Sequence, residues 1–200
     1  MHAKHTRAII LKKSKTLFAA HGYEGFSIRI LADESGVGIS SIYHFFKHKD
    51  EILKQIFYDT NKELGAERTK LPTRPNAHGM LLDRIMHQFE HIESVVFVLK
   101  YYLHFRQEFD KNYSGYLPPQ AYLHTQEVLN FGIKAGEFSM NASQIEPESK
   151  VITHAINGFL LEYYPHQPKE KELEQIAESI CEFIMRSLNA PRKIEKIVLS

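Results

Sequence analysis

Apolar residues recur along this chain at spacings of three and four, and short polar or proline-containing breaks separate the stretches that carry them. That is the period of an α-helix with one buried face. The first such stretch runs from Thr6 to His21, with Ile9, Ile10, Leu17, Phe18 and Ala19 on the apolar side and Lys12, Lys13 and Lys15 on the polar side. Two short stretches come next, and a long one extends from Lys49 to Lys70. Leu71-Pro72-Thr73-Arg74-Pro75-Asn76 is a breaker cluster. Beyond it the pattern predicts helices over Asn76–Ile92, Glu93–Lys111, Pro118–Ala135, Pro147–Tyr164 and Lys169–Leu188. Val95, Val96, Val98 and Leu99 could pass for a strand, but the period continues through Tyr102, Leu103, Arg106 and Phe109 and favours a helix. No segment combines alternating polarity with hairpin turn residues, so the expected class is all-α with about nine helices.

The two short stretches are the most specific part. Ser27 is a good N-cap, because its hydroxyl can accept from an orphan N–H of the first turn. Ile28, Leu31 and Ala32 give that helix one apolar face, and Gly36 stands where a left-handed residue ends it. After Gly38, ISSIYHFF makes a second short helix. Ile42, Phe45 and Phe46 can pack inward, which leaves Ile39, Ser40, Ser41, Tyr43 and His44 outside or at the helix start. Small hydroxyls and a tyrosine at the exposed start of a second helix suit close approach to base edges and phosphates.

From about Ile9 to Leu53 the chain resembles the DNA-binding head of the TetR (tetracycline-repressor-like) family. Phe18, Gly22, Tyr23, Ala32, Gly36, Val37, Tyr43, Phe46 and Lys49 stand in the expected order and spacing. The family often has Ser or Thr in place of Gly38, Gly in place of Ser40 and an acid in place of Ile30. The resemblance implies a three-helix helix-turn-helix domain over residues 1–49. It also implies a helical ligand-binding and dimerisation domain over 50–200, bridged by the helix at 50–70. The DNA-binding residues are then Ser27, Gly38, Ile39, Ser40, Ser41, Tyr43, His44 and Lys49. Lys49, Tyr43 and the adjacent helix N-terminus would hold phosphates, as a helix start can.

Charge agrees with this division. Residues 1–70 carry a net +4 and residues 71–200 a net −3, so a basic head sits on a slightly acidic body. There is one cysteine, Cys181, and no apolar run long enough to span a bilayer. The N-terminus lacks the apolar core of a signal peptide. A cytoplasmic protein without disulfides or membrane contact is expected. Phosphate-binding glycine loops, G-x-S-x-G and H-E-x-x-H are absent, so no enzyme is expected. Of twelve histidines, His87 and His91 have the i, i+4 spacing of a zinc pair, but no third ligand is convincingly spaced. Neither a metal nor a cofactor is expected.

The body is rich in aromatic residues, which could line a cavity for an apolar or aromatic small molecule. The pocket candidates are His87, His91, Tyr101, His104, Phe105, Gln126 and His154, with Arg106 and Asn157 as further polar groups. The segment at 147–164 is apolar on more than one side and therefore must be covered twice. The resemblance makes it and the segment at 169–188 the interface of a homodimer. Such a dimer would read two half-sites of a palindromic operator about 34–36 Å apart. The expected function is that of a transcriptional regulator, a repressor, that a small molecule releases from DNA. The alternative is a protein-interaction module on the same scaffold without specific DNA binding.

Overall fold

The computed structural model describes residues 2–109, 119–166 and 168–189. In chain order these form α1 (His2–Gly25), α2 (Ile28–Ser35), α3 (Ile39–Phe45), α4 (Lys49–Arg68), α5 (Ala77–Glu90), α6 (Ile92–His104), α7 (Arg106–Phe109), α8 (Leu123–Lys134), α9 (Ala142–Tyr163) and α10 (Glu170–Asn189). Single 3₁₀ turns lie at Pro119–Tyr122 and Tyr164–His166. There is no strand among the described residues, and the fold is all-α. The expected Asn112–Tyr116 loop, the helix start at Pro118 and the tail from Pro191 lie outside the described residues.

α1 is longer than its apolar pattern suggested, and it breaks at Gly22, where φ is +69°. Only glycine adopts that angle without strain. The carbonyls left free before the break are taken by a distant residue: the Lys100 ammonium, from α6, donates to the carbonyl oxygens of Ala19 and Ala20. A cation at a helix C-terminus is favourable on both counts, hydrogen bonding and dipole. The rest of this contact is apolar, with Phe18 packed at 5.0 Å centroid distance against Phe97.

Three further helix boundaries differ from the sequence expectation. α8 starts at Leu123, after the 3₁₀ turn at Pro119–Tyr122, where the helix was expected to run from Pro118. α6 ends at His104 and a separate turn, α7, comes after it, where one helix to Lys111 was expected. α9 starts at Ala142, not at Pro147. The Gln144 side-chain carbonyl accepts from the Asn141 N–H at 2.8 Å and closes the first turn ahead of the proline. Pro147 is thus carried inside the helix, past its first turn, where it withholds a donor from the Ser143 carbonyl.

The core is continuous from Ile10 and Phe18 in α1, through Phe57 in α4 and Phe97 in α6, to Ile156 in α9 and Leu188 in α10. Behind α8, Gly136 turns the chain with φ +71°. Glu137 then accepts from the Ala77 N–H with both carboxylate oxygens, at 2.8 and 3.0 Å, and so caps α5. Phe138 enters the core beside it, against Gly132. A Cβ at Gly132 would lie 2.3 Å from the Phe138 ring and 3.0 Å from Ala77 Cβ. Gly132→Ala is therefore expected to cost about 1–3 kcal/mol, the usual range for overpacking. A urea melt showing an unchanged midpoint would mean that Phe138 can move aside. The single cysteine is buried, and burial pushes its thiol up to about 12, so it is a packing residue.

Candidate functional site

α2 and α3 are assembled by the local signals in their sequence. The Ser27 hydroxyl caps α2 by accepting from the Ile30 N–H at 3.2 Å. Gly36 ends it with φ +68° and donates its N–H to the Ala32 carbonyl at 3.0 Å. Leu31 and Ile42 are fully buried and place both helices in the common core, with α2 packed on α1 and α3 on α2. Phe46 is buried too, with the Arg7 guanidinium 5.3 Å from its ring centroid. Lys13 of α1 bonds Glu34 of α2 at 3.0 Å, so this lysine is tied into the fold. With Ile42 as the anchor, the opposite side of α3 must face water. Ser40, Ser41 and His44 are exposed there, Ile39 is 44% exposed and Tyr43 is 52% exposed. Gly38 is the N-cap residue of α3, and a side chain there would meet open space. Seven of the eight expected DNA-binding residues thus lie at the α2 start or on the outer side of α3.

The eighth, Lys49, has a structural task. Its ammonium donates to the carbonyl oxygens of Tyr23 and Phe26 at 3.0 and 3.1 Å, and it sits 3.6 Å above the Tyr23 ring. Tyr23 donates its hydroxyl to Asp50 at 2.7 Å and stacks on His104 at 3.6 Å. The bond to Asp50, reinforced by burial, pushes the phenol up to about 12. One cluster therefore joins the end of α1, the start of α4 and the end of α6. Lys49→Ala leaves two carbonyls without their charged donor and is expected to destabilise the protein by about 1–3 kcal/mol. If a denaturation curve shows no change, the ammonium is free to serve phosphates instead. The α4 start is closed by its own neighbours: His48 Nδ1 accepts from the Glu51 N–H at 3.3 Å, and the Glu51 carboxylate from the Lys47 N–H at 2.8 Å.

A cavity of about 300 Å³ opens among α4, α5, α6, α8 and α9. Leu64 of α4 and Val95, Val98, Leu99 and Tyr102 of α6 form its apolar wall. Arg68, Arg84, His87, Gln88, His124 and Asn157 form the polar part. Burial holds the imidazoles of His87 and His124 below the ordinary histidine range, with like charge from His91 and Arg84 respectively adding to it.

The seven expected pocket residues divide. His87 lines the cavity, and the His91 ring lies 4.6 Å from it without joining the wall. Tyr101, His104 and Phe105 gather instead on the other side of α6, around Tyr23 and Phe57. Gln126 bonds Ser149 at 3.4 Å, and His154 bonds Tyr122 at 3.2 Å on the exposed side of α9. No group of three or more His, Cys, Asp or Glu with metal-site geometry occurs among the described residues. Nor is any described helix long and apolar enough to cross a membrane.

Residues 10–56 match the family described as bacterial regulatory proteins, tetR family. Over this helix-turn-helix segment the chain is similar to TetR-family regulators. The HTH-type transcriptional repressor KstR2 of Mycolicibacterium smegmatis is 31% identical over 85 residues, which are 42% of this chain and 42% of that protein. The chain therefore spans less than half the length of the curated relatives it matches. Solved structures extend the likeness of fold. The ketosteroid transcriptional regulator KstR2 of Mycobacterium tuberculosis superposes with a TM-score of 0.65 at 20% identity, over 92% of this chain and 95% of that one. FadR of Bacillus subtilis, solved with stearoyl-CoA, gives 0.65 at 19% identity, over 89% and 97%. These relatives are transcriptional regulators, not enzymes.

The cavity residues that sequence reasoning missed are chiefly Arg84, Arg68, Gln88 and His124. One signal was available. Leu81, Arg84, Ile85 and Gln88 share one face of α5, and a charge on an apolar stripe is rare unless it has a use. The remainder required knowing which helices meet. The outward sides of α9 and α10 carry Val151 (64% exposed) and Phe183 (64% exposed), with Phe159 and Leu161 also uncovered. Phe159, Tyr163, Ile176 and Phe183 line a shallow groove between these two helices.

Proposed function

We propose that this protein is a ligand-responsive transcriptional repressor of the TetR type that binds a palindromic operator as a homodimer and leaves it when a small molecule binds. The observation that carries this reading is the outer side of α3, where Ile39, Ser40, Ser41, Tyr43 and His44 stand free of the fold. Ser27, Gly38 and Lys49 flank that surface. Buried Ile42 and Leu31 hold it rigidly, which sequence-selective contact requires. The DNA-binding unit is residues 1–49, and residues 50–200 form the ligand-binding and dimerisation unit with α4 as the bridge. The dimer forms through α9 and α10, whose uncovered apolar residues need a partner surface. The protein works in the cytoplasm, where its operator is.

The fold offers a direct route for release. α4 and α6 both line the cavity, and both hold the N-terminal helices: α4 through Lys49 and Asp50, α6 through Lys100 and His104. A ligand that moves either helix changes the separation of the two α3 helices in the dimer. It releases DNA only to the extent that it binds the altered spacing better, typically by about 1–3 kcal/mol. The effector is a molecule with an apolar or aromatic body, in keeping with the α6 wall. A filter-binding titration on the DNA adjoining the gene tests the proposal. Selective, salt-sensitive retention is expected. Equal competition by random DNA would remove the specific-regulator reading and favour a protein-interaction module.

A further inference from the structure

Arg84 is the most unusual residue of the body. It is 6% exposed, and its hydrogen bond to the described residues is a long one, from Nη2 to the Thr153 hydroxyl at 3.5 Å. Its Nε is buried without a partner. Five buried side-chain polar atoms among the described residues lack a partner, and four of them line this one cavity: Arg84 Nε, His87 Nε2, Gln88 Oε1 and His124 Nε2. Such clustering is not what a closed core tolerates, since each orphaned group bears its desolvation cost alone.

The charge is also unbalanced. No carboxylate pairs with Arg84 among the described residues. The acids nearby are engaged elsewhere: Glu127 bonds His124 Nδ1 at 3.1 Å and is largely in water, and Glu67 bonds Lys70 at 2.6 Å. The neighbouring charge that acts on Arg84 most strongly is another cation, Arg68, which also lines the cavity. Burial, with that repulsion added, lowers the guanidinium to about 10, which still leaves it charged at neutral pH. A buried cation facing a void, opposed by a second cation, calls for an anion in the void.

We infer that the small molecule this cavity takes is an organic acid, with its carboxylate between the Arg84 and Arg68 guanidinium groups and its apolar or aromatic body along Val95, Val98 and Leu99 of α6. This rests on the ligand-responsive function proposed above and gives its effector a chemical class. The planar guanidinium fork matches a carboxylate, and the apolar wall matches an uncharged body. The same placement supplies the coupling. Arg68 lies in the last turn of α4, and Arg84 lies on α5. Without ligand the two cations repel. With a carboxylate between them they are drawn together, and α4 carries that motion to the cluster around Lys49 and Tyr23.

The test is calorimetric and thermal-shift titration of the full chain with straight-chain carboxylates from butanoate to dodecanoate and phenyl-terminated acids of matching lengths, each beside its primary amide. At least one acid is expected to bind about tenfold or more tighter than its amide, since the amide leaves the guanidinium unpaired. Arg84→Met should remove that preference while the unliganded melting temperature stays level or rises, because an unpaired buried charge has been replaced by an apolar side chain. Arg68→Gln should leave acid binding measurable but abolish its effect on DNA release. Amides that bind as well as their acids, an Arg84→Met protein that still prefers acids, or no binding across the panel would overturn the inference. Operator binding by the unliganded wild-type protein is measured on the same preparation. If it holds while the acids fail, only the effector class falls; if it is absent, the regulator reading falls first.

Discussion

Tyr43→Ala combined with Ser41→Ala is expected to weaken operator binding by about a hundredfold, on the basis of about 1–3 kcal/mol for each base or phosphate contact removed. Both side chains are exposed, and the helix beneath them is anchored by Ile42 and Phe46 instead. The helical spectrum and melting temperature should therefore match wild type. This separates the double variant from Lys49→Ala, where lost DNA affinity would come with lost stability because of the bonds to Tyr23 and Phe26. Fluorescence anisotropy at one fixed salt concentration measures the effect. Unchanged affinity in the double variant would mean that the outer side of α3 does not meet DNA.

The second large effect concerns assembly. Val151→Asp with Phe183→Asp places two charges on the uncovered faces of α9 and α10, where apolar contact is proposed to join two copies. Residues at the centre of such interfaces contribute about 2–4 kcal/mol each, so the pair should weaken the dimer by about a thousandfold or more. Sedimentation equilibrium should find a dimer of the 23.2 kDa chain for wild type and a monomer for the variant at micromolar concentration. Operator affinity should fall with it, because a monomer engages one half-site without the gain from linking two. A wild-type protein that sediments as a monomer would contradict the interface.

What could be read from the sequence was set by how local its causes are. The cap at Ser27, the left-handed glycine at Gly36 and the inward Ile42 each act within four or five residues, and the structure has them as expected. The end of α6 and the start of α9 depend on less visible matters. Asn141 and Gln144 begin α9 ahead of a proline that reads as a helix start. The cavity was harder still. α6 has two working sides, and the aromatic residues Tyr101 and Phe105 lie on the side that meets Phe57 and Tyr23. Val95, Val98, Leu99 and Tyr102 face the cavity. Counting aromatic rings could not separate those sides, because that depends on where α1 and α4 pack. Arg84 could have been found, since it interrupts an apolar stripe on α5, but its opposition to Arg68 exists only once α4 and α5 are brought together. Lys49 is a similar case. A lysine at a helix start next to a DNA-facing surface suggests phosphate contact, whereas the fold turns its ammonium toward the end of α1.

Hydroxyl-radical footprinting of the full chain on the DNA adjoining its gene decides whether α3 reads an operator in pairs. Two protected tracts are predicted, with centres about one helical turn of DNA or a whole multiple apart and related by a palindrome. Tyr43→Ala with Ser41→Ala should erase both together. Protection that is uniform along the fragment, or a discrete footprint that survives in the double variant, would contradict a paired reading of DNA by α3.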